Sequence, residues 1–206
     1  MLGFWNKSVY ITYFGAFVAV FGLLLSIHEG NCDYAFAGMI IAAVCDMFDG
    51  KVARHLKNRK EVEKDFGVQI DSLADIVCFI TIPAITIYCF WMKDIYQIIF
   101  LAFYVVCGII RLAYFNVAMS DKNKAIEFYQ GLPVPVSVFI FGLVWLLLKV
   151  INFDASIVYT IIVPIVGLLH ISKIRIRKYT NNWFYIVVSL IAIIAIVLGL
   201  FVLGHH

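Results

Sequence analysis

Asp46-Met-Phe-Asp49-Gly50-Lys-Val-Ala53-Arg54, then residues 55–66, then Gly67-Val-Gln-Ile-Asp71-Ser-Leu-Ala-Asp75, is the stretch on which the reading of this chain turns. Four carboxylates stand at the ends of two strongly apolar segments. A charged side chain at the centre of a membrane helix costs roughly 2.5–3.5 kcal/mol on insertion scales. Four together also repel one another. A divalent cation held by oxygen ligands relieves both problems, so the stretch predicts a metal site at a membrane surface.

The rest of the chain agrees with a membrane setting. It has 206 residues, of which 64% are hydrophobic and only 14% charged, with a mean hydropathy of +0.97. A soluble domain of this size has no use for that much apolar surface. A bilayer span needs about 20 apolar residues, and seven segments qualify: 9–27, 34–53, 67–91, 97–118, 133–151, 156–172 and 182–203. The sixth is the shortest and contains Pro164. The expected fold is all-α: a polytopic integral membrane bundle of about seven transmembrane helices, with six to eight as the range. Residues 1–203 read as one domain, and Gly204-His205-His206 as the remnant of a purification tag. The first apolar run is long and has no basic region before it, so no cleavable signal is expected. Leu2, Phe4 and Trp5 are placed to anchor the chain at the interface.

Charge sets the orientation. With the N-terminus and the loops 51–66, 119–130 and 173–181 on one side, that side carries thirteen Lys and Arg residues. The other carries only Lys93 and Lys149, and Arg111 falls within a span. The positive-inside rule makes the basic side cytoplasmic, and the aspartates lie on it. A net charge of +3, with no basic face interleaved with aromatics, excludes nucleic acid as a partner. The five cysteines form no CxxC pair and no Cys/His ligand spacing, so neither a disulfide nor zinc is expected.

The spacing of the acids is informative. Asp46 and Asp49 are three apart, and Asp71 and Asp75 four apart, so each pair shares one helix face. The loop between them returns the chain to the same membrane surface, where the two faces can enclose a cation. Four carboxylates can serve two hard cations, and oxygen donors favour Mg²⁺, Mn²⁺ or Ca²⁺ over zinc. Gly50 lies four after Asp46, Ala53 four after Asp49, and Gly67 four before Asp71. Small residues on facing helices ordinarily allow close packing. Beside metal ligands they also leave room for a flat or phosphate-bearing ligand, with Arg54 at the edge to pair with phosphate.

The pattern D-xx-D-G-xx-A-R, a spacer, then G-xxx-D-xxx-D resembles the signature of the CDP-alcohol phosphatidyltransferase family. Asp46, Asp49, Gly50, Ala53, Arg54, Gly67, Asp71 and Asp75 each match. The spacer is a few residues longer than the commonest form. The resemblance implies two divalent metals, Mg²⁺ or Mn²⁺, held by Asp46, Asp49, Asp71 and Asp75. It implies a CDP moiety over Asp49, Gly50, Ala53, Arg54 and Gly67, with Asp75 as the base that activates the acceptor hydroxyl. It also implies a homodimer. The chemistry is self-consistent: an alcohol attacking a phosphoanhydride must lose a proton, and the charge on phosphate and leaving group must be neutralised. Spacing alone does not say whether Asp71 or Asp75 is the freer base.

Two further stretches bear on the acceptor. Gly108-Ile-Ile-Arg111-Leu-Ala-Tyr114-Phe-Asn116 and Tyr129-Gln130-Gly131-Leu132-Pro133-Val-Pro135 both lie at the aspartate side. They resemble the R-L-A-R-F-N and G-L-P-x-P segments of the phosphatidylserine synthase branch, as does the run 66–75. Tyr114 departs from the branch, which often has a second arginine there. The resemblance implies transfer of a phosphatidyl group from CDP-diacylglycerol to L-serine, with release of CMP. Serine is a zwitterion. Arg111 suits its carboxylate, and Asn116 and Gln130 can complete its site. His55 and His170 lack partner patterns and read as interface residues. Thr12 and Tyr13 are positioned to line a nucleotide pocket.

Three alternatives stand beside this reading. The acceptor can instead be glycerol 3-phosphate, inositol phosphate or choline, since Arg54, Lys57, Arg59 and Lys60 are available for a phosphate. The donor can carry archaeal-type ether chains. An ion or proton transporter would also hold carboxylates in apolar helices, but such a path needs acids at mid-membrane depth, and these cluster at one face.

Overall fold

The computed structural model describes residues 7–55, 60–120, 128–151, 153–177 and 182–199. Leu2, Phe4, Trp5, Lys57, Arg59, residues 204–206 and the Arg54 and His55 side chains lie outside the described set. Among the described residues there are seven helices. They are α1 (Lys7–Glu29), α2 (Asp33–His55), α3 (Glu61–Phe90), α4 (Ile95–Ser120), α5 (Val134–Val150), α6 (Ala155–Ile171) and α7 (Asn182–Val197). Val9–Glu29, Glu61–Phe90 and Ile95–Ala118 are each long and apolar enough to cross a membrane, and α5, α6 and Val187–Val197 are shorter apolar helices. The protein is an integral membrane helical bundle.

Each expected span finds its helix, with one shift. The third begins at Glu61 rather than 67. Its first turn closes on itself, the Lys60 amide donating to Glu63 Oε2 at 3.1 Å, so two polar turns extend the helix beyond its apolar part. The sixth span is continuous through Pro164. Two short strands, β1 (Phe128–Gln130) and β2 (Arg175–Arg177), pair antiparallel with Tyr129 opposite Ile176. This ribbon joins the α4–α5 and α6–α7 connections at the aspartate end of the bundle, and the all-α reading did not anticipate it.

Small residues bring α1 and α2 together, and these helices share the most extensive contact in the bundle. A β-carbon at Gly22 would come within 2.5 Å of the Tyr34 carbonyl, and one at Gly38 within 2.8 Å of the Val18 carbonyl. Backbone therefore meets backbone, as small-xxx-small faces permit in lipid. The core beneath is aromatic. Phe36 stacks on Trp145 at 5.1 Å between centroids and Trp91 on Tyr159 at 4.8 Å.

At the end of the bundle remote from the four aspartates, a buried ion pair ties α2 to α5. Lys149 Nζ donates to Asp33 Oδ2 at 2.7 Å, and Trp145 Nε1 donates to Oδ1 at 2.9 Å. Lys149 also donates to the Gly199 carbonyl at 3.0 Å, which brings in the chain after α7. All five cysteines are free. Cys32, in the turn beside Asp33, has its thiol pushed up to about 12, first by burial and then by the neighbouring carboxylate. It is not a reactive thiolate.

Helix α3 is irregular where it matters most. A π-turn occupies Ile76–Thr81, immediately after Asp75. Pro83 has no N–H to offer the carbonyl four residues back, that of Phe79. Tyr104 from α4 donates to this carbonyl instead, at 2.6 Å, and is held in turn by Ser137 of α5 at 3.2 Å. In lipid a freed backbone carbonyl needs such a partner. Three helices are thereby fixed just below the acidic cluster.

Candidate active site

Helix α2 presents Asp46 and Asp49 one turn apart, and α3 presents Asp71 and Asp75. Asp46, Asp49 and Asp71 each offer a carboxylate oxygen, and these oxygens lie within 4.8 Å of one another. A cation bound at roughly 2.1–2.5 Å from each oxygen spans about 4–5 Å between opposite ligands. The three acids therefore fit one hard divalent ion. Asp46 and Asp71 face each other across the helix pair, and a cation between them relieves the repulsion of two carboxylates this close.

Asp49 is only 4% exposed. The Thr12 hydroxyl of α1 donates to its Oδ2, so α1 contributes to the site without supplying an acid. A small cleft opens between α1, α2 and α3 at this point. Its walls include Thr12, Gly15, Ala42, Cys45, Asp46, Asp49, Asp75 and Cys78. Gly50, Ala53 and Gly67 are half-buried on the same helices.

Asp75 lines the same cleft as Asp46 and Asp49 but is not one of the three acids whose oxygens converge. It is 8% exposed, and its nearest charges include Asp71 and the Arg111 guanidinium. Arg111 is itself buried, at 6% exposure, and lies over the Phe115 ring at 4.9 Å. The basic residue predicted to meet an anionic acceptor is thus within electrostatic range of the acid predicted to act as base.

The other two acceptor candidates each bond a neighbouring side chain. Asn116 Nδ2 donates to Ser72 Oγ at 2.8 Å, which ties α4 to α3 between Asp71 and Asp75. Gln130 is exposed, and its Oε1 accepts from the Tyr114 hydroxyl. Tyr114, where a second arginine was the alternative, therefore bridges α4 to the ribbon.

One sequence expectation is corrected. His170 is no interface residue: it is buried, at 2% exposure, and its Nδ1 bonds the Leu132 carbonyl at 3.0 Å. Gly131, at φ +74°, makes this contact possible. A β-carbon there would meet the His170 carbonyl at 2.2 Å, so only glycine fits. Ser72 and His170 carried no signal in the sequence, because their roles depend on which helix ends meet.

A membrane bundle with a carboxylate cluster facing a cleft at its helix ends is suited to hold a divalent cation beside an anionic ligand. The model of the family CDP-alcohol phosphatidyltransferase matches residues 5–204, and the chain belongs to that family. Membership sets aside the transporter reading.

The chain is 34% identical over 122 residues to a CDP-diacylglycerol–serine O-phosphatidyltransferase of Saccharomyces cerevisiae, covering 56% of this chain and 43% of that protein. It is 27% identical over 191 residues to a protein of the same name from Methanocaldococcus jannaschii, covering 92% and 83%. It is 37% identical over 116 residues to an archaetidylserine synthase of Methanothermobacter thermautotrophicus, covering 56% and 47%. The chain thus spans less than half the length of the yeast and Methanothermobacter proteins and most of the Methanocaldococcus one.

Proposed function

We propose that the protein transfers a phosphatidyl group from CDP-diacylglycerol to the hydroxyl of L-serine, releasing CMP, with Mg²⁺ or Mn²⁺ bound by Asp46, Asp49, Asp71 and Asp75. The observation that carries the acceptor is the buried Arg111 beside Asp75, in a chain whose 92% alignment is to a protein named for serine transfer. Divalent ions bound there supply charge neutralisation on the transferring phosphate and the departing CMP.

The chain's own residues supply the rest. Asp75 takes the serine hydroxyl proton as the serine oxygen bonds to phosphorus and the phosphoanhydride bond to CMP breaks. Asp71, not Asp75, is one of the three acids whose oxygens converge, which supports this role for Asp75 over one for Asp71. Arg111 holds the serine carboxylate through its two-pronged guanidinium. Thr12 orients Asp49. Asp49, Gly50, Ala53, Arg54 and Gly67 bind the CDP moiety, and the acyl chains stay in lipid alongside the bundle. The excess of Lys and Arg in the loops at this end supports a cytoplasmic active site, and the enzyme works as a homodimer.

Labelled CMP release tests the reading. Purified protein is given CDP-diacylglycerol, or its ether-linked counterpart, with serine, glycerol 3-phosphate, inositol phosphate or choline. Serine alone is expected to drive release. Release with a phosphorylated acceptor and none with serine overturns it.

A further inference from the structure

Four chain segments meet around His170: the end of α6, the Gly131–Pro133 entry to α5, and the Tyr104 and Arg111 turns of α4. The His170 ring lies 5.7 Å from that of Tyr104 and within electrostatic reach of Arg111. Its Nδ1 faces a carbonyl, which can only accept. Nδ1 therefore carries the hydrogen, and in the neutral ring Nε2 presents a bare lone pair. Nε2 is fully buried and has no hydrogen-bond partner among the described residues. A buried acceptor left unsatisfied costs stability and calls for an explanation.

The segment around it is built to hold that ring. Leu132 N donates to the Leu169 carbonyl at 3.0 Å and Gly131 N to the Ile174 carbonyl at 2.9 Å. Those two bonds and the Gly131 close approach already lock the helix end. The Leu132 bond uses only Nδ1, so the latch leaves Nε2 without a role.

We infer that His170 is a specificity residue of the acceptor site, its Nε2 receiving a hydrogen bond from the ammonium group of an amino-acid acceptor whose carboxylate is held by Arg111. The inference rests on the serine reading above and deepens it. An amino acid brings one anionic and one cationic end. Arg111 has donors only, so it serves the first, and a second group with only a lone pair must serve the other. His170 is such a group, and it lies within reach of the same guanidinium. With both ends held, the hydroxyl is left for Asp75, which Arg111 also adjoins. A phosphorylated acceptor brings no cationic end to match Nε2, and the quaternary ammonium of choline has no N–H to donate.

The test compares serine with 3-hydroxypropanoate, which keeps the carboxylate and hydroxyl and lacks the amine. Two variants separate the ring nitrogens. His170→Asn keeps a donor near the Nδ1 position and removes Nε2. His170→Gln keeps an acceptor near Nε2 and loses the Leu132 bond. The readouts are kcat/KM for both acceptors, KM for CDP-diacylglycerol and melting temperature in detergent. Wild type should prefer serine. In His170→Asn that preference should fall by about tenfold or more, with donor KM and melting temperature little changed. His170→Gln should melt lower and retain most of the preference. If the Asn variant keeps the wild-type preference, or both acceptors weaken equally, His170 only braces the helix end and the inference is overturned. If the Gln variant loses the preference as fully as the Asn variant, it is overturned too. Wild type that releases no CMP with serine sinks the serine reading and this inference together, whereas a serine-active wild type with an unaltered Asn variant sinks the inference alone.

Discussion

Thr12→Val is the sharpest probe of how the acidic centre is supported. Valine matches threonine in shape, so the α1–α2 contact keeps its packing and loses one hydroxyl. That hydroxyl donates to Asp49 Oδ2, and Asp49 is only 4% exposed, so water cannot readily replace it. Hydrogen bonds to charged groups contribute about 1.5–3 kcal/mol, whereas those between membrane helices average about 0.6 and reach about 1.7 kcal/mol. The two ranges overlap near 1.5 kcal/mol, which corresponds to about a tenfold change in an equilibrium constant. The hydroxyl orients a ligand rather than binding metal, so that energy should appear in metal affinity, and outer-shell partners typically change it by about 10–100-fold. Mn²⁺ binding to the purified variant, followed by titration calorimetry, should therefore weaken about tenfold, and the Mn²⁺ concentration for half-maximal CMP release should rise in step. Thr12→Ser should restore most of the loss. If Thr12→Val binds Mn²⁺ as wild type does, Asp49 does not depend on α1 and the placement of Thr12 in the site is wrong.

Removing divalent ions with EDTA should abolish CMP release, and Asp46→Asn, Asp49→Asn or Asp71→Asn should each do so while the protein still purifies as a folded species; full turnover in EDTA refutes the metal centre. Asp75→Asn should slow turnover by about 10² or more, the lower range for loss of a general base, while calorimetry still detects Mn²⁺ binding. Arg111→Ala should raise KM for serine far more than KM for the donor, and Arg111→Lys should recover only part, because an ammonium does not replace a bidentate fork; an equal rise in both would assign Arg111 to lipid phosphate. At the other end of the bundle, Lys149→Met leaves Asp33 charged and buried without its cation. Breaking such a pair costs about 3–5 kcal/mol, so the melting temperature in detergent should fall clearly and recover in the Asp33→Asn, Lys149→Met double variant.

The helices were legible because hydrophobic run length is a local property, and each run is bounded by charged or turn residues. Asp46, Asp49 and Asp71 were legible as a cluster because helical spacing fixes the face and one short loop fixes the meeting of faces. What the sequence withheld depends on pairs far apart in the chain. Nothing near Thr12 announces Asp49, and nothing near His170 announces Leu132. Asn116 was singled out through a segment that resembles the serine synthase branch. Its bond to Ser72 depends on how α3 and α4 meet, and nothing near either residue announces the other. The β1–β2 ribbon was hidden because each strand is three residues long and has meaning only opposite the other.

The π-turn and a glycine together explain how Arg111 comes to stand beside Asp75. A π-turn inserts one residue, which turns the helix beyond it by about 100° relative to regular α geometry. Asp71 and Asp75 can then face α2 while Cys78, Phe79 and Ile80 are all buried in succession. Ile80 is directed at α4, where a β-carbon on Gly108 would come within 2.5 Å of its Cδ1. The glycine lets the two helices touch at that level. They run antiparallel through the 91–94 turn, so moving toward the acidic end means going forward on α4 and backward on α3. Three residues on from Gly108 is Arg111, about 4.5 Å higher, and five residues back from Ile80 is Asp75, at most about 7.5 Å higher. The packing of one glycine against one isoleucine thus sets the register of the cation and the acid, which is why a larger residue at 108 should disturb the acceptor side of the site before it disturbs the metal side.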